Sequence, residues 1–190
     1  MGHNGSTRYM RPLIADADVV FLIGNRTNQN GTDSWQLYPS NARFIHIDID
    51  PQEIGRNYEA LRLAGDAKLT IEYLINELEK LNLSKRKQAR QSVADAIAEG
   101  RARHEAEVSD LVGSDQSPIR PERIMREIDK RLSDDSVVVA DASYSSIWIA
   151  NYISSRQAGS RFLTPRGLAG LGWGLPMAIG AKTAHPDATV

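Results

Sequence analysis

A chain of 190 residues, 41% of them apolar, is long enough to bury the core of one large domain or two small ones. Its 23 basic and 24 acidic residues leave a net charge of −1, so no bulk field draws it to nucleic acid or to an anionic membrane. Cysteine is absent, which excludes disulfides, thiolate metal sites and a cysteine nucleophile and suits the cytoplasm. The histidines His3, His46, His104 and His185 lack the spacing of a helical metal pair. No run of eighteen apolar residues and no signal-peptide core is present, so neither a membrane span nor an export signal is read.

The first third alternates helix and strand patterns. Residues 6–17, "STRYMRPLIADA", read as a helix, "DVVFLIG" as a buried strand ending at Gly24, "RFIHIDID" as a second strand, and "DAKLTIEYLINELEKL" as an amphipathic helix. That order implies a parallel sheet, and strands of unbroken Val, Ile, Leu and Phe suit a sheet covered by helices on both faces. From Ser84 to about Leu111 the chain turns charged and alanine-rich, with Ala89, Val93 and Ile97 at helical spacing, which predicts one long and mostly solvated helix bridging two units. A loop around "SDQSPIRP" follows, with Pro121 at the first turn of the next helix, "PERIMREIDKRL".

A second alternation then starts: strand "SVVVAD", helix "SSIWIANYI", a short strand at "RFLT", and a glycine-rich stretch leading into helix "LPMAIGAKTA". The final "DATV" reads as the start of another strand. A parallel sheet that stops there lacks the strands that normally cover it, so the sequence is expected to be part of a longer protein. The fold class is therefore α/β, two Rossmann-like three-layer units with parallel sheets, joined by a helical linker and with the second unit truncated. The expected boundaries are 1–82, 83–117 and 118–190.

Three places carry candidate chemistry. Gly24, Asn25 and Arg26 end a buried strand at the carboxyl edge of the sheet, where open α/β folds bind ligands, and they suit an anionic or nucleotide group or, equally, a plain strand-to-loop bend; no GxGxxG accompanies them. Asp48 ends the next strand, where a carboxylate can accept from a ribose hydroxyl, while Asp50 reads as a cap. Ala142, Ser143, Tyr144 and Ser145 combine small residues and hydroxyls at a helix N-terminus, an arrangement that suits a diphosphate or in which Ser143 merely caps the helix.

The stretch "GLAGLGWGLPMAIGAK", Gly167 to Lys182, is not a Walker loop, because Ala181 separates Gly180 from Lys182. Its glycines at 167, 170 and 172 instead allow close approach to a flat ligand, with Leu171 and Trp173 as bulk between them. This stretch resembles the G-x-x-G-x-G-x-P-x-A-I-G segment of thiamine-diphosphate enzymes of the acetolactate synthase and pyruvate decarboxylase superfamily. "HIDIDPQEIGRN" and "AGDAK" resemble that superfamily's central domain, and "VVVADASYSSIWIANY" the first half of its C-terminal, cofactor-binding domain.

The resemblance implies decarboxylation of a 2-oxo acid and transfer of the resulting carbanion, with thiamine diphosphate and Mg2+ as cofactors, a small-molecule substrate, and a homo-oligomer. By position it makes Leu171 the wedge that bends the cofactor, the Ala169 carbonyl, beside Gly170, the acceptor for its aminopyrimidine, and Ala142 to Ser145 the diphosphate segment. It further implies contacts to FAD or ADP at His3, Gly24, Arg26, Asp48, Glu53, Gly65 and Asp66, although "TNQNGTDSW" lacks the charged residues usual in FAD-binding synthases. The family's metal-binding Gly-Asp-Gly would follow Val190, and its activating glutamate lies in a domain preceding the matched region. No catalytic or metal-ligating residue is therefore expected within this chain, which alone is expected to be inactive.

Overall fold

A computed structural model describes residues 9–157, 159, 162–165 and 167–190. The chain forms two units, Met1–His104 and Glu105–Val190. In the first, α1 (Arg11–Ala15) precedes a three-stranded parallel sheet of β1 (Val19–Ile23), β2 (Arg43–Asp48) and β3 (Ala60–Ala64), in the order β1-β2-β3. The helix α2 (Ala67–Glu79) follows, capped by Asp66, whose carboxylate accepts from the Leu69 N–H. The start of the helix expected over residues 6–17, residues 6–8, lies outside the described residues.

Parallel strands need long crossovers, and both of these are irregular rather than helical. Residues 24–42 hold only a 3₁₀ turn at Asn30–Thr32, and residues 49–59 hold no helix. The two loops cover one face of the sheet. There Val20, Leu22 and His46 are buried, Phe44 stacks on Tyr58 with ring centroids 4.6 Å apart, and Tyr38 meets both rings edge-on. Thr27, Thr32, Leu37 and Ile54 from the loops are buried with them.

The opposite face carries Val19, Phe21 and Ile23 of β1 with Ile45 and Ile47 of β2. Ile47 is fully buried, yet Ile23, its register partner on the next strand, is 42% exposed. The strand read from the sequence as buried is thus covered on one face only, and it alternates exposed and buried along its length. Strand β3 escaped the sequence reading, because "ALRLA" has little β-branched character and carries Arg62 at its centre.

The long helix is present as α3 (Ser84–Val112). Its packing differs from the expected Ala89, Val93 and Ile97 stripe, since Val93 is half exposed and the buried positions are Gly100, Val108 and Val112. At Gly100 the helix passes so close to the Tyr9 carbonyl that a Cβ would lie 3.2 Å from it. Close approach therefore outweighs the helix-propensity advantage of alanine at this position.

In the second unit α4 (Pro121–Asp129) starts on Pro121, as expected. It is followed by β4 (Val138–Val139), α5 (Tyr144–Tyr152), β5 (Phe162–Leu163) and α6 (Gly174–Ala184), with β4 and β5 parallel. Arg161, at the start of the expected "RFLT" strand, lies outside the described residues. The core joins Val137, Ala140, Ala142 and Ile153 with Val108 and Val112. Glu122, 4% exposed, receives a bidentate pair of bonds from Arg120, which holds its carboxyl below the usual range against the opposing effect of burial. Residues 187–190 are not a strand, contrary to the reading of "DATV". A single backbone bond, from the Val137 N–H to the Thr189 carbonyl, 2.8 Å, ties them to the residues leading into β4.

Candidate functional site

Strand polarity brings several of the expected nucleotide residues to one edge of the first sheet. The Gly24 N–H donates to the Ile47 carbonyl and the Gly65 N–H to the Asp48 carbonyl, both at 2.9 Å, so Gly24, Asp48 and Gly65 sit at the carboxyl ends of three adjacent strands. Gly24 needs its glycine, with φ +56°. Arg26 is exposed on the loop beyond it, and Asp66 follows Gly65 as the helix cap already described. His3 lies outside the described residues.

The acids of this edge differ in what they leave free. Asp48 Oδ1 accepts from the Asp50 N–H at 2.9 Å, and Asp50 Oδ1 accepts from the Gln52 N–H, so both shape the turn. Glu53 Oε1 takes Arg56, whereas Glu53 Oε2 is buried with no partner among the described residues. A buried acceptor without a donor fits a ribose hydroxyl better than the committed oxygen of Asp48 does.

Side chains absent from the sequence-level candidates hold these loops. Asn57 Nδ2 donates to the Thr27 carbonyl and hydroxyl at 3.0 and 2.9 Å, and the Trp35 indole N–H donates to the same carbonyl at 3.0 Å. Thr27, 2% exposed, is held at φ +47°, and Asp33, Ser34 and Trp35 are also left-handed. Four such residues in one loop store backbone strain at the carboxyl edge of the sheet. On the neighbouring turn, the Gly55 N–H donates to His46 Nδ1 at 3.3 Å. Gly55 has φ +73°, and a Cβ there would lie 2.7 Å from the Arg62 guanidinium. Gly55→Ala is expected to cost about 1–2 kcal/mol, read as a lower urea midpoint at unchanged slope.

The second unit brings together the two segments assigned to thiamine diphosphate. Ser143 caps α5, its hydroxyl accepting from the Ser145 N–H at 3.2 Å. The N–H groups of Ala142, Ser143, Ser145 and Ser146 are engaged internally, and so are the Ser143 and Ser145 hydroxyls, which bond each other at 2.8 Å while Ser145 Oγ also meets the Asp141 carbonyl, so the segment presents the exposed Tyr144 beside a self-bonded turn. Across from it, Ala169 has φ +54° and Gly172 φ +89°, turns that leave Leu171 76% exposed. No described residue donates to the Ala169 carbonyl, which leaves an exposed acceptor two residues before an exposed apolar side chain. Both features fit a heteroaromatic ring carrying an amino group.

Asp141, which the sequence reading treated only as a strand end, links the two segments. Its Oδ1 accepts from the Ala142 N–H at 2.7 Å, and its Oδ2 from the Gly172 and Gly174 N–H groups at 2.8 and 3.3 Å. Those amides, Ala142 first, hold its carboxyl below the usual aspartate range. Because the folded value is the lower one, this stabilisation is present above the ordinary aspartate pKa and is lost as pH falls through the depressed one. The signal that could have found it is the one that singled out Asp48, a carboxylate directly after a parallel strand.

Among the described residues no helix is long and apolar enough to cross a membrane. The sequence matches the family described as thiamine pyrophosphate enzyme, central domain, over residues 1–74, and its C-terminal TPP binding domain over residues 141–190. It is 31% identical over 185 residues, 93% of this chain, to a probable acetolactate synthase large subunit of Methanococcus aeolicus, and 30% identical over 97% of this chain to that of Methanocaldococcus jannaschii. The acetolactate synthase large subunit of Cyanidium caldarium is 26% identical over 98% of the chain. The chain spans about a third of the length of these relatives, 31% in each case. With one match at each end and similarity running between them, the chain belongs to the thiamine pyrophosphate enzymes.

Proposed function

We propose that this chain supplies the nucleotide-type domain and part of the cofactor-binding domain of an acetolactate synthase-like enzyme of the cytoplasm. The enzyme would decarboxylate a 2-oxo acid and join the remaining fragment to an acceptor. The domain boundaries of this reading are 1–82, 83–117 and 118–190. The observation that carries it is the similarity to acetolactate synthase large subunits along nearly the whole chain, 93% of it at 31% identity. Thiamine diphosphate, when bound, supplies the electron sink for loss of CO2. The residues of this chain would do the holding: Ser143, Tyr144 and Ser145, next to Ala142, would lie at the diphosphate, the Ala169 carbonyl beside Gly170 would accept from the amino group, and Leu171 would pack against the cofactor.

Magnesium belongs to the same reading, but its ligands are not assigned to this chain, since the Asp141 carboxylate is committed to backbone amides. At the edge of the first sheet, Gly24, Arg26, Asp48, Glu53, Gly65, Asp66 and His3 are assigned to FAD or ADP, and the orphan oxygen of Glu53 supports a ribose there. The functional unit is a homo-oligomer.

The test is product analysis with pyruvate, thiamine diphosphate and Mg2+, using the product of the complete reading frame. Acetolactate is the expected product. Aldehyde alone would instead place the protein with the benzoylformate or oxalyl-CoA type of decarboxylase. Absence of both turnover and thiamine diphosphate binding would make it a non-catalytic nucleotide-binding module.

A further inference from the structure

The loop that carries Leu171 has little to hold it by packing. Leu168, Leu171 and Trp173 are 100, 76 and 58% exposed, so the core does not fix their positions. Trp173, at the N-cap of α6, makes no side-chain cap bond of its own. What holds the loop is a carboxylate 31 and 33 residues earlier in sequence, Asp141, through the Gly172 and Gly174 amides. Charge-assisted bonds to backbone N–H groups are among the stronger ones, and a negative charge at the start of an 11-residue helix is favourable.

The same residue organises the other segment. The Asp141 carbonyl accepts from the Ser143 N–H at 2.9 Å and from the Ser145 hydroxyl at 3.3 Å, while Oδ1 takes the Ala142 N–H. One residue thus sets the starts of both α5 and α6. The approach is tight: a Cβ on Gly174 would lie 3.3 Å from both the Asp141 N and Cβ, which accounts for glycine at that position.

We propose that Asp141 is a positioning residue that fixes the spacing between the Ala169–Leu171 loop and the Ala142–Ser145 segment, and thereby the fit of thiamine diphosphate. This rests on the reading that these segments grip the two ends of that cofactor. Asp141 acts through backbone amides and through no contact with the reacting atoms. Asparagine in its place would keep the size but remove the charge from every bond and put a donor NH2 where one acceptor oxygen stands, so the bonds to Gly172 and Gly174 lose their charge assistance in either orientation.

The experiment uses Asp141→Asn in the product of the complete reading frame, with two readouts. The first is hydrogen exchange of the apoprotein, and the second is thiamine diphosphate affinity from tryptophan quenching. Exchange at Gly172 and Gly174 should quicken about tenfold and the Kd rise about tenfold, as for loss of one charge-assisted bond, while exchange over residues 19–64 stays unchanged. Unchanged exchange at Gly172 and Gly174 overturns the proposal, and so does faster exchange with unchanged affinity. If the unmutated protein does not bind thiamine diphosphate, the functional reading falls, and exchange alone decides whether Asp141 anchors the loop. Should Asp141→Asn fail to fold, Gly174→Ala keeps the carboxylate while pushing a methyl group against it. The same two changes, in smaller measure, are then expected, and their absence overturns the proposal.

Discussion

Ile47→Ala is expected to destabilise the first unit by about 2–5 kcal/mol, whereas Ile23→Ala should cost about 1 kcal/mol. The two isoleucines face the same way and are register partners on neighbouring strands. One is completely buried and the other is 42% exposed. The removed atoms are identical, so the difference measures only what surrounds them: a closed cavity at Ile47 and open surface at Ile23. The unit contains Trp35, while Trp148 and Trp173 belong to the second unit. Urea unfolding followed by Trp35 fluorescence, with Trp148 and Trp173 replaced by Phe, reads the first unit by itself. Equal losses for the two variants would mean that the exposed face of β1 is covered in solution.

Leu171→Ala has the opposite profile. A side chain 76% exposed contributes little to stability, and the melting temperature should stay within about a degree of the parent. In the product of the complete reading frame, and on the proposed function, turnover should nevertheless fall about 100-fold, the scale of the loss when reacting groups are held in the wrong geometry. Leu171→Met, which restores bulk without branching, should recover most of it. The measurement is kcat with pyruvate at saturating thiamine diphosphate, beside a thermal melt of each variant. A melt lowered in step with activity would mean that Leu171 supports the fold instead of shaping the site.

The sequence revealed the strongly patterned elements and missed the weakly patterned ones. Strands β1 and β2 stand out through unbroken Val, Ile and Phe, and α3 through its charge; Pro121 marks the start of α4. Strand β3 left no such trace, because it is defined by pairing with β2 rather than by its own side chains. The same limit applies to the covering layer of the first sheet: nothing in residues 24–42 or 49–59 announces that two loops will stand where helices were expected. At the sites, the glycines and strand-end acids were visible as residue types. Leu171 was visible only as bulk between glycines, and its role and that of the Ala169 carbonyl came into view through family resemblance, since neither carries a signature of its own. Asp141 was visible as a strand-end acid, but its bonds to Gly172 and Gly174, like that of Asn57 to Thr27, depend on which atoms meet across long stretches of chain. Spacing along the sequence does not encode that.

The clasp between Asn57 and Thr27 also has a kinetic meaning. It joins residues 30 positions apart, so the entropy of closing that loop must be lost before the bonds can form. The parallel pairing of β1 with β2 and of β2 with β3 already brings the two loops to one side. The clasp is therefore expected to form on a sheet that exists before it and to open without dissolving that sheet. The carboxyl edge of the first sheet should in this sense be a separate opening unit, whose amides exchange ahead of those in β2. A ligand bound there would slow that exchange by closing the loops over itself, and so would record its own occupancy.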